Sequence, residues 1–170
     1  MTNLITNPFS LNRELTFHDA VADYAPATLF KYGRNAERVP HWLGLTVTVD
    51  NGEFNAGEHV TIGLAVARWT VEFEGTVKTC SVEEGTTIEG RDERFGSASM
   101  YLGMKPDVNG GSLIKYGIKL TASGRKYLAP LNALHGLLIL SAPSFANEYK
   151  ENIVRSIPDS EKLVRPGSNS

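Results

Sequence analysis

Trp69-Thr70-Val71-Glu72-Phe73-Glu74-Gly75-Thr76-Val77 decides the fold class of this 170-residue chain. Its odd positions are apolar or glycine, and its even positions are Thr or Glu. A period of two is the pleat of a β-strand with one buried and one wet face. Upstream, Leu43-Gly44-Leu45-Thr46-Val47-Thr48-Val49 alternates in the same way and runs into Asp50-Asn51-Gly52. Asn-Gly is the strongest short hairpin signal. Val60, Ile62, Leu64 and Val66 then share one face of a further strand.

Downstream, Thr79 to Ile88 reads as a strand broken near Glu83-Glu84-Gly85, and Ser97 to Lys105 as another. Pro106 to Gly111 is a turn. Leu113 to Leu120 places Ile114, Tyr116, Ile118 and Leu120 on one face. Lys126 to Leu131 stays open between element types, and the apolar run Leu137-Leu138-Ile139-Leu140 reads as a buried strand. Many short strands with no long helical pattern between them exclude βαβ units. They predict a mostly β chain: an antiparallel β-sandwich or jelly-roll-like barrel with extended N- and C-terminal arms and one or two short helices.

The flanks carry weaker periodicity. In residues 1–16, Asn3, Asn7, Pro8, Ser10 and Asn12 favour turns. Leu4, Ile5, Phe9 and Leu11 imply that this segment docks on its own core or on a neighbouring subunit. Thr16-Phe17-His18-Asp19 resembles a helix cap, followed by Phe17, Val21 and Tyr24 on one helical face. Pro26 ends that run, and Ala27 to Tyr32 forms a short helical turn closed by Gly33. At the other end, Ser144 caps a helix carrying Phe145, Tyr149 and Ile153 four residues apart, and Pro158 stops it. The predicted organisation is an N-terminal arm with a short helix (1–40), a β-sandwich core (41–143), and a C-terminal helix with a tail (144–170).

Composition narrows the function classes. Net charge is −2, and each flank balances its acids and bases, so the arms are not built to neutralise phosphates. Lys31, Arg34 and Arg38, near Phe30 and Tyr32, form one small basic cluster. Cys80 is the only cysteine and reads as a small buried hydrophobe. No secretory leader and no run approaching a membrane span is visible, which predicts cytoplasmic synthesis.

Candidate chemistry is sparse. His18, His41, His59 and His135 fall in four separate elements without zinc-site spacing. No Gly-x-Ser-x-Gly elbow and no phosphate-cradling glycine motif occurs. Glu83, Glu84, Glu89, Asp92 and Glu93 are the densest acids, but Arg91 and Arg94 sit among them, so they read as a solvated, salt-bridged loop. Trp42, Trp69, Tyr101, Tyr116 and Tyr127 could line a sugar site, with Trp69 claimed first by the core.

No catalytic, cofactor-binding or metal-binding residue is therefore assigned, no cofactor is expected, and the chain is not read as an enzyme. The expectation is a structural subunit of a homo-oligomeric assembly: a virion coat, decoration or tail protein whose arms dock on neighbouring subunits. Its partners would be copies of itself and other virion proteins, with nucleic acid disfavoured and no membrane. The alternative is a ligand-binding β-sandwich module for carbohydrate or adhesion.

Overall fold

The structure, a computed structural model, describes residues 10–21, 23–41, 44–66, 69–123 and 125–163. Seven strands form one antiparallel sheet: β1 (Ser10–Val21), β2 (Leu45–Val49), β3 (His59–Val66), β4 (Trp69–Ser81), β5 (Gly85–Asp92), β6 (Gly96–Pro106) and β7 (Ser112–Ser123). Their spatial order is β1-β7-β6-β5-β4-β3-β2. The short helix α1 (Pro26–Gly33) follows β1, and the long helix α2 (Arg125–Arg155) follows β7. The chain is mostly β, as its alternation predicts.

The second layer is α2, not a second sheet. Leu131, Leu134, Leu138, Ala142, Phe145, Tyr149 and Ile153 are all buried and recur every three or four residues. That spacing is one face of a helix. Opposite them stand the inward residues of the sheet, among them Val60, Ile62, Leu64, Phe73, Ile88, Met100, Ile114, Tyr116, Ile118 and Leu120. The buried strand expected at Gly136 to Leu140 is thus a stretch of α2, and the helix expected from Ser144 begins at Arg125. Pro130 and Pro143 lie inside the helix. Each removes a backbone donor and reads locally as a breaker, but the long apolar face outweighs that cost through tertiary packing.

The first predicted helix is also corrected. Residues 16–21 belong to β1, which pairs with β7 from Ser10 opposite Ser123 to Val21 opposite Ser112. Leu15 and Phe17, on alternate positions, pack against the core. Twelve ladder pairs outweigh a local capping signal. Pro26 opens α1 rather than closing a helix; its fixed φ suits the first helical turn. The expected docking of residues 1–9 lies outside the described residues.

One device bends the sheet around α2. Gly75 of β4 lies directly opposite Gly90 of β5. A Cβ on Gly75 would sit 1.8 Å from the Glu89 carbonyl oxygen, and one on Gly90 would sit 2.7 Å from that of Phe73. Paired glycines let the backbones approach and the sheet curl. A register shift between Val77 and Thr79 adds to the twist.

Candidate functional site

The grip of sheet on helix is tightest toward the C-terminal end of α2. There Tyr149 and Phe145 stack, with ring centroids 6.2 Å apart, and Tyr116 meets both edge-on. The Tyr149 hydroxyl donates to the Gly33 carbonyl at 3.0 Å, and that of Tyr116 to the Ala146 carbonyl at 3.2 Å. Burial pushes both phenols above their ordinary range, so both stay neutral donors. Asn152 donates to the Arg38 carbonyl, and Lys150 pairs with Asp19 of β1 at 2.8 Å.

The N-terminal end of α2 differs. Here Leu64 of β3, Val71 of β4 and Phe95 of the β5–β6 turn face Tyr127, Pro130, Leu131 and Leu134 across an apolar pocket. Its free volume is about 10 Å³, roughly the space of one water. Phe95 closes it. The Phe95 ring lies 4.9 Å from that of Tyr127 and meets Phe73 edge-on at 5.6 Å. The turn carrying Phe95 is held by Asp92, whose carboxylate accepts from the amides of Arg94 (2.8 Å) and Phe95 (2.6 Å). Arg13 of β1 donates twice to the Asn132 side chain, at 3.1 and 2.6 Å, tying this half of the helix to the sheet edge. Pro130 leaves one carbonyl of the first helical turns without its amide partner.

The outer face of the sheet holds an open trough of about 650 Å³ between Glu74, Thr76, Lys78, Glu89, Arg91, Ser97, Lys119 and their neighbours. Carboxylates and cations stand side by side there, so it presents no field of one sign.

The candidate residues of the sequence scatter. His18, His41 and His59 are exposed and His135 is half-buried on α2. Among the described residues no group of His, Cys, Asp and Glu is placed to hold a metal ion. His59 sits between two carboxylates, with Nε2 2.7 Å from Glu74 and Nδ1 3.4 Å from Asp50. Hydrogen bonding to Asp50 is the main cause that raises its pKa, with Glu74 acting the same way. Cys80 is half-buried and donates its thiol to the Phe54 carbonyl at 3.0 Å.

The acidic cluster is not one loop: it divides between two hairpin turns and strand β5, which carries Glu89 on the outer face of the sheet. Glu83 and Glu84 lie before β5, and Asp92 and Glu93 at its far end. Lys31 pairs with Glu161 at 3.1 Å and Arg34 with Glu53 at 3.7 Å, while the Nε of Arg38 is buried without a hydrogen-bond partner among the described residues. Two of the three cations of that basic cluster, Lys31 and Arg34, are thus engaged within the chain. Tyr116 is a core residue, Tyr101 is half-buried on the outer face, and Tyr127 borders the pocket. Trp42 and the Trp69 side chain lie outside the described residues. The sequence reading missed Phe95 and the Leu131-Leu134-Leu138 face. The three- and four-residue spacing of those leucines was the available signal.

No protein-family model matches the chain, and no curated protein sequence is significantly similar to it. Solved structures do match. A protein of unknown function from Staphylococcus aureus superposes with a TM-score of 0.60 at 9% identity, over 86% of this chain and 96% of its own. Ara h 8.0201 matches with a TM-score of 0.56 at 14% identity, over 86% of this chain and 100% of its own. The di-domain ARO/CYC protein StfQ of the steffimycin biosynthetic pathway matches with a TM-score of 0.56 at 10% identity, over 84% of this chain and 49% of its own. These are helix-grip folds of the Bet v1-like and START-like kind. The likeness overturns the expected virion coat, decoration or tail subunit and its capsid architecture. The physical reason is visible in the chain itself. β1, taken from the supposed N-terminal arm, and α2, whose last turns come from the supposed C-terminal arm, are consumed in closing its own core and are not free to interlock with neighbours. What the comparison establishes is the fold: a curled antiparallel sheet gripping one long C-terminal helix.

Proposed function

We infer that this chain binds a small apolar ligand between its sheet and helix α2, at the pocket closed by Phe95. The observation that carries the reading is the Phe95–Tyr127 ring pair, which plugs an otherwise apolar recess at the less firmly tied end of α2. Ligand sites are concave, largely apolar and of several hundred Å³. The recess is far smaller, so this is its closed form, and a ligand takes the space that Phe95 vacates. The neighbouring folds support the reading by analogy, through the shared grip of sheet on helix; one of them, ARO/CYC StfQ, comes from a biosynthetic pathway. Among the lining residues Tyr127 carries the one polar side-chain group. A lining so largely of carbon suits binding of an apolar guest.

The test is calorimetric titration of the full chain with a panel of small aromatic and aliphatic ligands. Saturable binding with a negative heat-capacity change is expected. Phe95→Ala removes the plug, so affinity should rise about tenfold, because the binding-competent state no longer has to be reached by displacing a ring. No saturable binding by either protein, or binding indifferent to Phe95→Ala, sinks the reading.

A further inference from the structure

Helix α2 has a second apolar face, and it points away from the sheet. Ala129, Ala133, Gly136, Leu140 and Pro143 are all exposed, Leu140 to 82%. Leu137 and Ile139 flank them, each 48% exposed. The first five recur at alternating steps of four and three residues, the spacing of a seam between two packed helices. Between Lys126 and Glu148 there is no Asp, Glu, Lys or Arg. Contiguous uncharged surface of this kind on a monomer marks an interaction site.

Gly136 sharpens the point. A glycine in mid-helix costs about 1 kcal/mol relative to alanine. Nothing among the described residues lies within 4 Å of where its Cβ would be, so no contact among them requires it. A second backbone approaching from outside would.

We propose that α2 pairs antiparallel with α2 of a second copy of this chain, about a two-fold axis passing between Gly136 and Leu137. The sequence of the seam is complementary to its own reverse. Its first half is small (Ala129, Ala133, Gly136) and its second half larger (Leu140 and Pro143, with Leu137 flanking them). Antiparallel pairing sets Leu140 of one copy over Ala133 of the other, and Leu137 over Gly136. Parallel pairing would set large on large and leave gaps between the small residues. Charge agrees: Lys126 ends the seam on one side and Glu148 on the other, both exposed. Reversal brings each Lys126 beside the other copy's Glu148, whereas parallel pairing brings like charges together. One patch serving both partners is the isologous contact that a closed dimer requires. The three-and-four spacing favours a shallow crossing near +20°. This pairing runs through a helix face and is separate from the arm-mediated assembly expected from the sequence.

The test is sedimentation equilibrium of the full chain from about 1 to 100 μM, a range set by interfaces of modest area. A monomer–dimer equilibrium is expected. Leu140→Glu, at an exposed position that leaves the fold intact by circular dichroism, should weaken the dimer at least tenfold by burying two unpaired carboxylates. Lys126→Glu should weaken it less, and adding Glu148→Lys to that variant should restore it. A wild-type monomer throughout, or a dimer unmoved by Leu140→Glu, overturns the proposal. So does a monomer that floats with phosphatidylcholine vesicles, which would assign the face to lipid.

Discussion

Both halves of helix α2 lie over the concave face of the sheet, the C-terminal half meeting α1 as well, and they are held differently. Residues 141–155 are cemented by an aromatic stack, two buried phenol hydrogen bonds and the Lys150–Asp19 pair. Residues 125–140 lie against it through aliphatic contacts, the Arg13–Asn132 bond and a plugged recess. The first arrangement fixes direction as well as distance, because hydrogen bonds and stacked rings have preferred geometries. In the second, the Arg13–Asn132 bond alone fixes direction, and the rest fixes distance, because apolar attraction is non-directional. The lesson is that one helix serves as an anchor at one end and a movable cover at the other.

Several substitutions break or sharpen that contrast. The largest loss is expected at the anchor. Tyr149→Ala empties a fully buried site and strands the Gly33 carbonyl, and should cost about 3–5 kcal/mol in denaturant unfolding. Tyr149→Phe isolates the hydrogen bond and should cost about 1–3 kcal/mol. At the cover, Phe95→Ala should cost less than Tyr149→Ala, about 3 kcal/mol. There, unlike at the anchor, saturating apolar ligand should restore most of the loss, about 2.7 kcal/mol at a hundredfold excess over Kd. If ligand rescues Tyr149→Ala equally, the two halves do not differ in the way argued.

Asp92→Ala frees the turn that carries Phe95. It should cost about 1 kcal/mol while accelerating ligand association in stopped-flow fluorescence. Lys150→Gln tests the outermost tie of the anchor, and about 1 kcal/mol or less is expected for a pair of this exposure.

His59 serves as the control, because it lies on the outer face and away from both halves. Its folded pKa is raised by Asp50 and Glu74. Its contribution is therefore fully present below the ordinary imidazole value and lost as pH rises through the raised one. A scan of Tm against pH should show that decline in the wild type and not in His59→Gln. Equal declines in both would show that the carboxylates do not hold the imidazolium.

Much of this was legible in the residues. Alternation in 69–77, 60–66 and 113–120 placed β4, β3 and β7, and Asp50-Asn51-Gly52 placed the β2–β3 connection. Tyr149 and Ile153 were placed on one buried helix face, which the structure retains. The candidate site was not legible. Phe95 is a single aromatic in a charged turn, and only the curl of β4 and β5 about Gly75 and Gly90 swings it over Tyr127.

The sequence by itself determined that the chain is β-rich, with one wet face to its strands, balanced charge and no clustered metal ligands in its pattern. Those properties follow from period and composition, which are local. The tertiary structure decided what covers the other face. A run such as Leu137-Leu138-Ile139-Leu140 is apolar at every position and so fits a buried strand or a helix, and Pro143 nearby argues against the helix locally. Only the leucines and aromatics from Leu131 to Ile153, meeting a sheet curved enough to receive them, settle it, because that burial is a sum over contacts distant in sequence.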